Sequence, residues 1–136
     1  MEIGFPIEFI VYGTPVSHQR ANHRARDEWK ALVRQASRVA LPESARATHA
    51  ALSTTLFYFP EGEMFGDIDN IIKFILDALS SHIYLDDKQI ERIVVQKFEG
   101  DRIFAFTDPT ETLVECVEGQ KPSLYVRISD DPSEDL

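Results

Sequence analysis

Five aspartates (Asp67, Asp69, Asp77, Asp86 and Asp87) and one lysine, Lys73, fall within residues 66–97, GDIDNIIKFILDALSSHIYLDDKQIERIVVQK. Carboxylates gathered at close range repel one another and lose hydration, so a folded chain tolerates them best when a cation compensates. Hard oxygen ligands beside a single lysine point to Mg²⁺-assisted chemistry on a phosphate ester. Asp67 and Asp69 stand two residues apart, a spacing that puts both carboxylates on one face of an extended segment. Each piece alone has a plainer reading: a cap, a turn, or a helix lysine paired with Asp69 or Asp77. The ordered set is the specific signal. Calcium binding of the EF-hand type is disfavoured, because that loop needs a polar residue at Ile71 and a glycine at Ile72.

Elements must position these groups. Residues 5–12 (FPIEFIVY) read as a strand ended by Gly13-Thr14-Pro15, and residues 17–24 as a polar, basic loop. Residues 26–41 follow a helical period, with Trp29, Leu32, Val33, Ala36, Val39 and Ala40 on one face and Asp27 and Glu28 in the first turn. Residues 50–59 form a second strand. A turn-rich connection, 60–66, leads to a second helix over 70–81 capped by Asp69, with Ile71, Ile72, Ile75, Leu76 and Leu79 as its buried stripe. On that reading Asp69, Lys73 and Asp77 line the opposite side. The loop with Asp86 and Asp87 precedes a third strand over 89–98 and is expected to return to the same end of the sheet. Segments 112–117 and 123–128 are expected to pair as a hairpin or extend the sheet. The fold class is therefore α/β (mixed α+β): strand-helix-strand-helix-strand with additional C-terminal strands, a mixed sheet with helices packed on it. One domain is expected over 1–129, with 130–136 a disordered acidic tail.

The 136 residues carry a formal net charge of −9, which is awkward for binding nucleic acid. The charge is unevenly spread. Residues 18–49 hold seven Lys/Arg against three acids, whereas from Glu99 onward ten acids face three basic residues. The basic region supplies a candidate DNA surface: Arg20, Arg24, Arg26 and Lys30. No apolar run reaches the length of a membrane span, no basic-then-apolar leader opens the sequence, and the single Cys116 excludes an internal disulfide framework. A cytoplasmic location is the expectation. Cys116 reads as a small buried hydrophobe, Trp29 as core or dimer interface, and His82 as a structural residue whose cationic ring favours a helix C-terminus.

The run Asp67-Ile-Asp69-Asn70-x-x-Lys73-x-x-x-Asp77-Ala78-Leu79, followed by Tyr84-Leu-Asp86-Asp87-x-Gln89-Ile90 and Lys97, resembles the RusA-type Holliday junction resolvases. Tyr12-Gly13-Thr14-Pro15, with Arg20 and Trp29 beyond it, resembles that family's N-terminal pattern. The resemblance covers most of the chain to about Lys97. It implies a homodimeric, Mg²⁺-dependent endonuclease (Mn²⁺ as a substitute) that nicks opposing strands of a four-way DNA junction symmetrically. By motif position it implies Asp67, Asp69 and Asp87 as metal-binding carboxylates and Lys73 as the essential lysine. Asp86 is then a further ligand or a neighbour supporting one. Asn70 and Lys97 join the residues expected to contact DNA, and Asp77 is structural. The sparse basic run at 17–20 departs from the family's denser one. Three rivals compete with this reading: a RusA-like fold that binds DNA or a protein without cutting, a nuclease acting on other branched DNA, and a purely structural acidic protein.

Overall fold

The computed structural model describes residues 1–17, 22–100 and 104–136. Four strands, β1 (Ile7–Tyr12), β2 (Leu52–Phe59), β3 (Ile90–Lys97) and β4 (Ser123–Ser129), form one sheet in the order β1-β4-β2-β3. β4 runs antiparallel to both β1 and β2, while β2 and β3 are parallel, so β1, β2 and β3 share a direction. The sheet is mixed, and helices α1 (His23–Val39), α2 (Ile72–Leu79) and α3 (Glu111–Glu118) accompany it.

Side-chain alternation sorts the strands onto two faces. Ile7, Phe9 and Val11 of β1, Leu52, Leu56 and Tyr58 of β2, and Leu124, Val126 and Ile128 of β4 pack with Trp29 and Val33 of α1 and Ile75 and Leu79 of α2. Burying each such side chain is worth about 1.5–3 kcal/mol. The other face carries Phe59, Leu113, Cys116 and Tyr125, with Phe57, Phe98 and Phe106 against them. Phe57, Tyr58 and Phe59 thus divide between the faces. Gly13 lets the chain pass the indole: a Cβ there would stand 3.3 Å from Trp29 Cζ3.

Several elements differ from their sequence reading. α1 starts at His23, because the Asn22 side chain accepts from the Ala25 N–H at 2.8 Å and caps it there. Asp27 and Glu28 consequently lie beyond the first turn, and Leu32 and Val39 are exposed rather than buried. The second helix is shorter than expected and is entered through a 3₁₀ turn, Ile68–Ile71, whose N-cap is Asp67 rather than Asp69. Residues expected to pair as a strand near 112–117 form α3, capped by Thr110, whose Oγ1 accepts from Leu113 N–H at 3.1 Å. Leu113 and Cys116, three apart, are its buried residues. In the acidic tail, Glu134 pairs with Arg127, and its carbonyl accepts from Arg92 at 2.7 Å. Among the described residues no helix is long and apolar enough to cross a membrane.

Candidate functional site

Asp67 and Asp69 sit on the 3₁₀ turn that packs against β3, immediately before α2. Gly66 sets up the turn with φ +82°, a left-handed conformation that strains any residue bearing a Cβ. Both carboxylates are exposed, whereas Asn70 within this turn is buried. The Asn70 N–H donates to the Asp67 carbonyl at 3.1 Å. Just upstream, Phe65 is an aromatic ring 96% exposed. Nothing in the sequence pattern distinguished it, since exposure cannot be read from residue type.

Lys73 follows one turn along α2, its ammonium 3.5 Å from the Asp77 carboxylate. Asp77 thus pairs within the fold, in keeping with the structural part expected of it.

Asp86 and Asp87 occupy a second 3₁₀ turn, Asp87–Gln89, directly before β3. Since β2 and β3 are parallel, this turn lies at the opposite end of the sheet from the place where 60–66 leaves β2. Met64 marks that other end, donating from its N–H to Glu99 Oε2 at 3.0 Å just past β3. The expected return of 86–87 to the end at which β2 finishes does not occur, because α2 carries the chain back along the sheet before β3 begins.

The two aspartates of this turn are used differently. Asp86 caps it, accepting from Lys88 N–H at 2.8 Å, while Gln89 Oε1 accepts from Asp86 N–H at 3.0 Å and Leu85 N–H at 2.8 Å. The Gln89 amide then donates to the carbonyls of Thr48 (2.8 Å) and Ala50 (3.0 Å), tying the turn to the start of β2. Asp87 instead faces the buried Tyr84 hydroxyl, which donates to the Leu76 carbonyl at 2.6 Å. Burial pushes this phenol far above its usual range, and the charges of Asp87 and Asp77 push it further. Tyr84 is thus the point at which the 86–87 turn and α2 meet.

Oxygen donors of this kind suit a hard dication. Among the described residues, however, no three His, Cys, Asp or Glu side chains stand close enough to share an ion. Asp67 with Asp69 and Asp86 with Asp87 form two groups on separate turns flanking β3, with Lys73 and Asp77 on the helix between them.

The basic surface lies along α1. Arg24 pairs with Glu28 at 3.0 Å; Arg26 pairs with Asp27 at 3.3 Å and approaches His23 Nδ1 at 2.7 Å; Lys30 is half-buried. Lys97 pairs with Glu99 at 3.1 Å. Arg20 lies outside the described residues. His82 is structural, but its ring is held neutral rather than cationic: burial lowers its pKa, and Arg38 and Arg34 lower it further. Burial also raises the Cys116 thiol, whose Sγ lies 3.4 Å from Ser123 Oγ.

Residues 13–105 match the family model described as Endodeoxyribonuclease RusA, and the chain belongs to that family of Holliday-junction-resolving endonucleases. No curated protein matches the sequence.

Proposed function

We propose that this protein is an Mg²⁺-dependent endodeoxyribonuclease, Mn²⁺ substituting, that resolves four-way DNA junctions by paired symmetric nicks as a cytoplasmic homodimer. Asp67, Asp69 and Asp87 are assigned as metal ligands, and Asp86 supports Asp87 by capping their shared turn. The observation that carries the reading is the placement of the acidic motif. All of these carboxylates and Lys73 are solvent-exposed, the carboxylates on the two turns that pack on or precede β3 and Lys73 on the helix between those turns, within the stretch that matches the family. Mg²⁺, when bound, would activate water and steady the leaving oxygen of a phosphodiester. Lys73 then stabilises charge developing on the phosphoryl oxygens, held in place by Asp77. Asp67 and Asp69 would hold the ion from the first turn and Asp87 from the second. Arg24, Arg26 and Lys30 of α1, with Arg20 before it, are assigned to the phosphate backbone, and Asn70 to positioning the first acidic turn beside it.

Nicking of a synthetic four-way junction, in Mg²⁺ and in EDTA, beside Asp69→Asn, tests this. The expected result is paired nicks in Mg²⁺ alone and none from the variant. A rise in melting temperature with Mg²⁺, absent in the variant, is the accompanying binding signal. Junctions bound but never cut would leave a DNA-binding module, and linear duplex cut as fast as junctions would remove structure selectivity.

A further inference from the structure

Among the described residues, β3 is an edge strand, paired with β2 on one side. Phe98 N–H donates to Tyr58 O at 2.8 Å, and Lys97 lies opposite Tyr58. Along the regular ladder, the N–H and C=O groups of Ile93, Val95 and Lys97 therefore point away from β2, toward the open edge. Among the described residues, the other edge strand, β1, has both α1 and α3 packed on it, whereas the 3₁₀ turn Ile68–Ile71 packs on β3 and the tail reaches it through Arg92. β3 is long, contains no proline, and leaves Ile93 41% exposed. Such an edge is a template for another strand.

We propose that two copies of this chain join β3 to β3 antiparallel, fusing their sheets across a two-fold axis. The inference rests on the reading that the protein works as a pair of nicking sites, and it names the surface that pairs them. The occupant is a second copy because the strand is complementary to itself in one register. With the axis through Val94, Ile93 lies opposite Val95 of the partner subunit and Glu91 beside Lys97 of the partner subunit, each contact made twice. Shifting the axis to Ile93 sets Glu91 against valine and leaves Lys97 without an acid across the interface. Shifting it to Val95 drives Glu91 toward Glu99 of the partner subunit. Charge therefore selects the central register. Glu91 is exposed and Lys97 partly so, and both stand clear of the core.

Sedimentation of the full chain without DNA tests the interface. The wild type is expected to be dimeric at micromolar concentration. Glu91→Lys and Lys97→Glu should each weaken association about tenfold or more by turning two attractions into repulsions, and the double exchange should restore it. Independently, Val94→Cys should form a covalent dimer on mild oxidation. A non-hydrogen-bonded antiparallel pair holds its Cα atoms about 4.5 Å apart, within disulfide reach, and Cys116 is buried. A monomeric wild type, or a dimer indifferent to both charge reversals that Val94→Cys does not cross-link, overturns the proposal. A normal dimer that cuts no junction overturns the nuclease reading and leaves this interface standing.

Discussion

Gln89 and Asp86 cap the same turn reciprocally: the Gln89 carbonyl oxygen accepts from the Asp86 N–H at 3.0 Å, and the Asp86 carboxylate accepts within that turn. The other end of the Gln89 amide reaches the carbonyls of Thr48 and Ala50. One half-buried amide therefore fixes where Asp87 stands relative to the sheet. Gln89→Ala strands several backbone groups at once. We predict a loss of about 2 kcal/mol in urea denaturation and a fall in junction nicking that added Mg²⁺ does not repair. Unchanged stability would show that water takes over these bonds without cost.

Lys73 and Asp77 separate chemistry from positioning. Lys73→Met is expected to lower nicking by about 10²–10³ with junction binding retained, the scale of removing one group aimed at developing charge. Asp77→Asn keeps the ammonium but frees it, so a smaller loss is expected, roughly tenfold or less. Neither should move stability by more than about 1 kcal/mol, because the pair is partly solvent-screened. Single-turnover rates beside binding isotherms decide this. Equal losses from both variants would make Asp77 more than a positioning residue.

The acidic motif, the presence of a strand on either side of α2 and the α1 core stripe around Trp29 and Val33 were legible because local spacing specifies them, whereas the parallel pairing of those strands was not. What escaped depends on distant partners. Gln89 looks like any strand-flanking amide until Thr48 and Ala50, about forty residues earlier, supply its acceptors. Residues 112–117 carry β-branched and apolar types in a run too short for periodicity to separate strand from helix. The Thr110 cap and the aromatic layer beneath Leu113 and Cys116 decide for a helix. Leu32 and Val39 fit the helical stripe by count but overshoot the part of α1 that meets the sheet.

His82 gives stability a pH dependence with a defined sign. Ser37 Oγ donates to the Arg34 carbonyl at 2.7 Å, so at 2.8 Å the His82 Nε2–H donates to Ser37. Its folded pKa lies below the ordinary value of 6.5, first through burial and then through Arg38 and Arg34. A depressed pKa means the unfolded chain takes up the proton more readily. His82 therefore contributes stability above about pH 6.5, lost as pH falls toward the lower folded value. Melting temperature should fall between about pH 7 and 5, and His82→Gln should flatten that slope. Glu134, held ionised by Arg127, acts in the same direction at more acidic pH. An unaltered slope in His82→Gln would assign the effect elsewhere.

Phe65 presents an apolar ring to water two residues before Asp67, on a turn bounded by Gly62 and Gly66, both at positive φ. The fold gains nothing from that ring, since 96% of it is exposed. At a junction, where bases unstack, an aromatic face offers a stacking surface worth about 1–3 kcal/mol per base. Phe65→Ala should therefore leave the melting temperature unchanged while weakening junction binding by about tenfold, the low end of that range. Phe65→Trp should retain binding, and fully paired linear duplex should be bound equally by all three proteins. Fluorescence of a 2-aminopurine base at the branch point, quenched by the wild type and by Phe65→Trp but not by Phe65→Ala, is the direct readout. Equal affinity of wild type and Phe65→Ala for the junction would remove Phe65 from the DNA-facing surface.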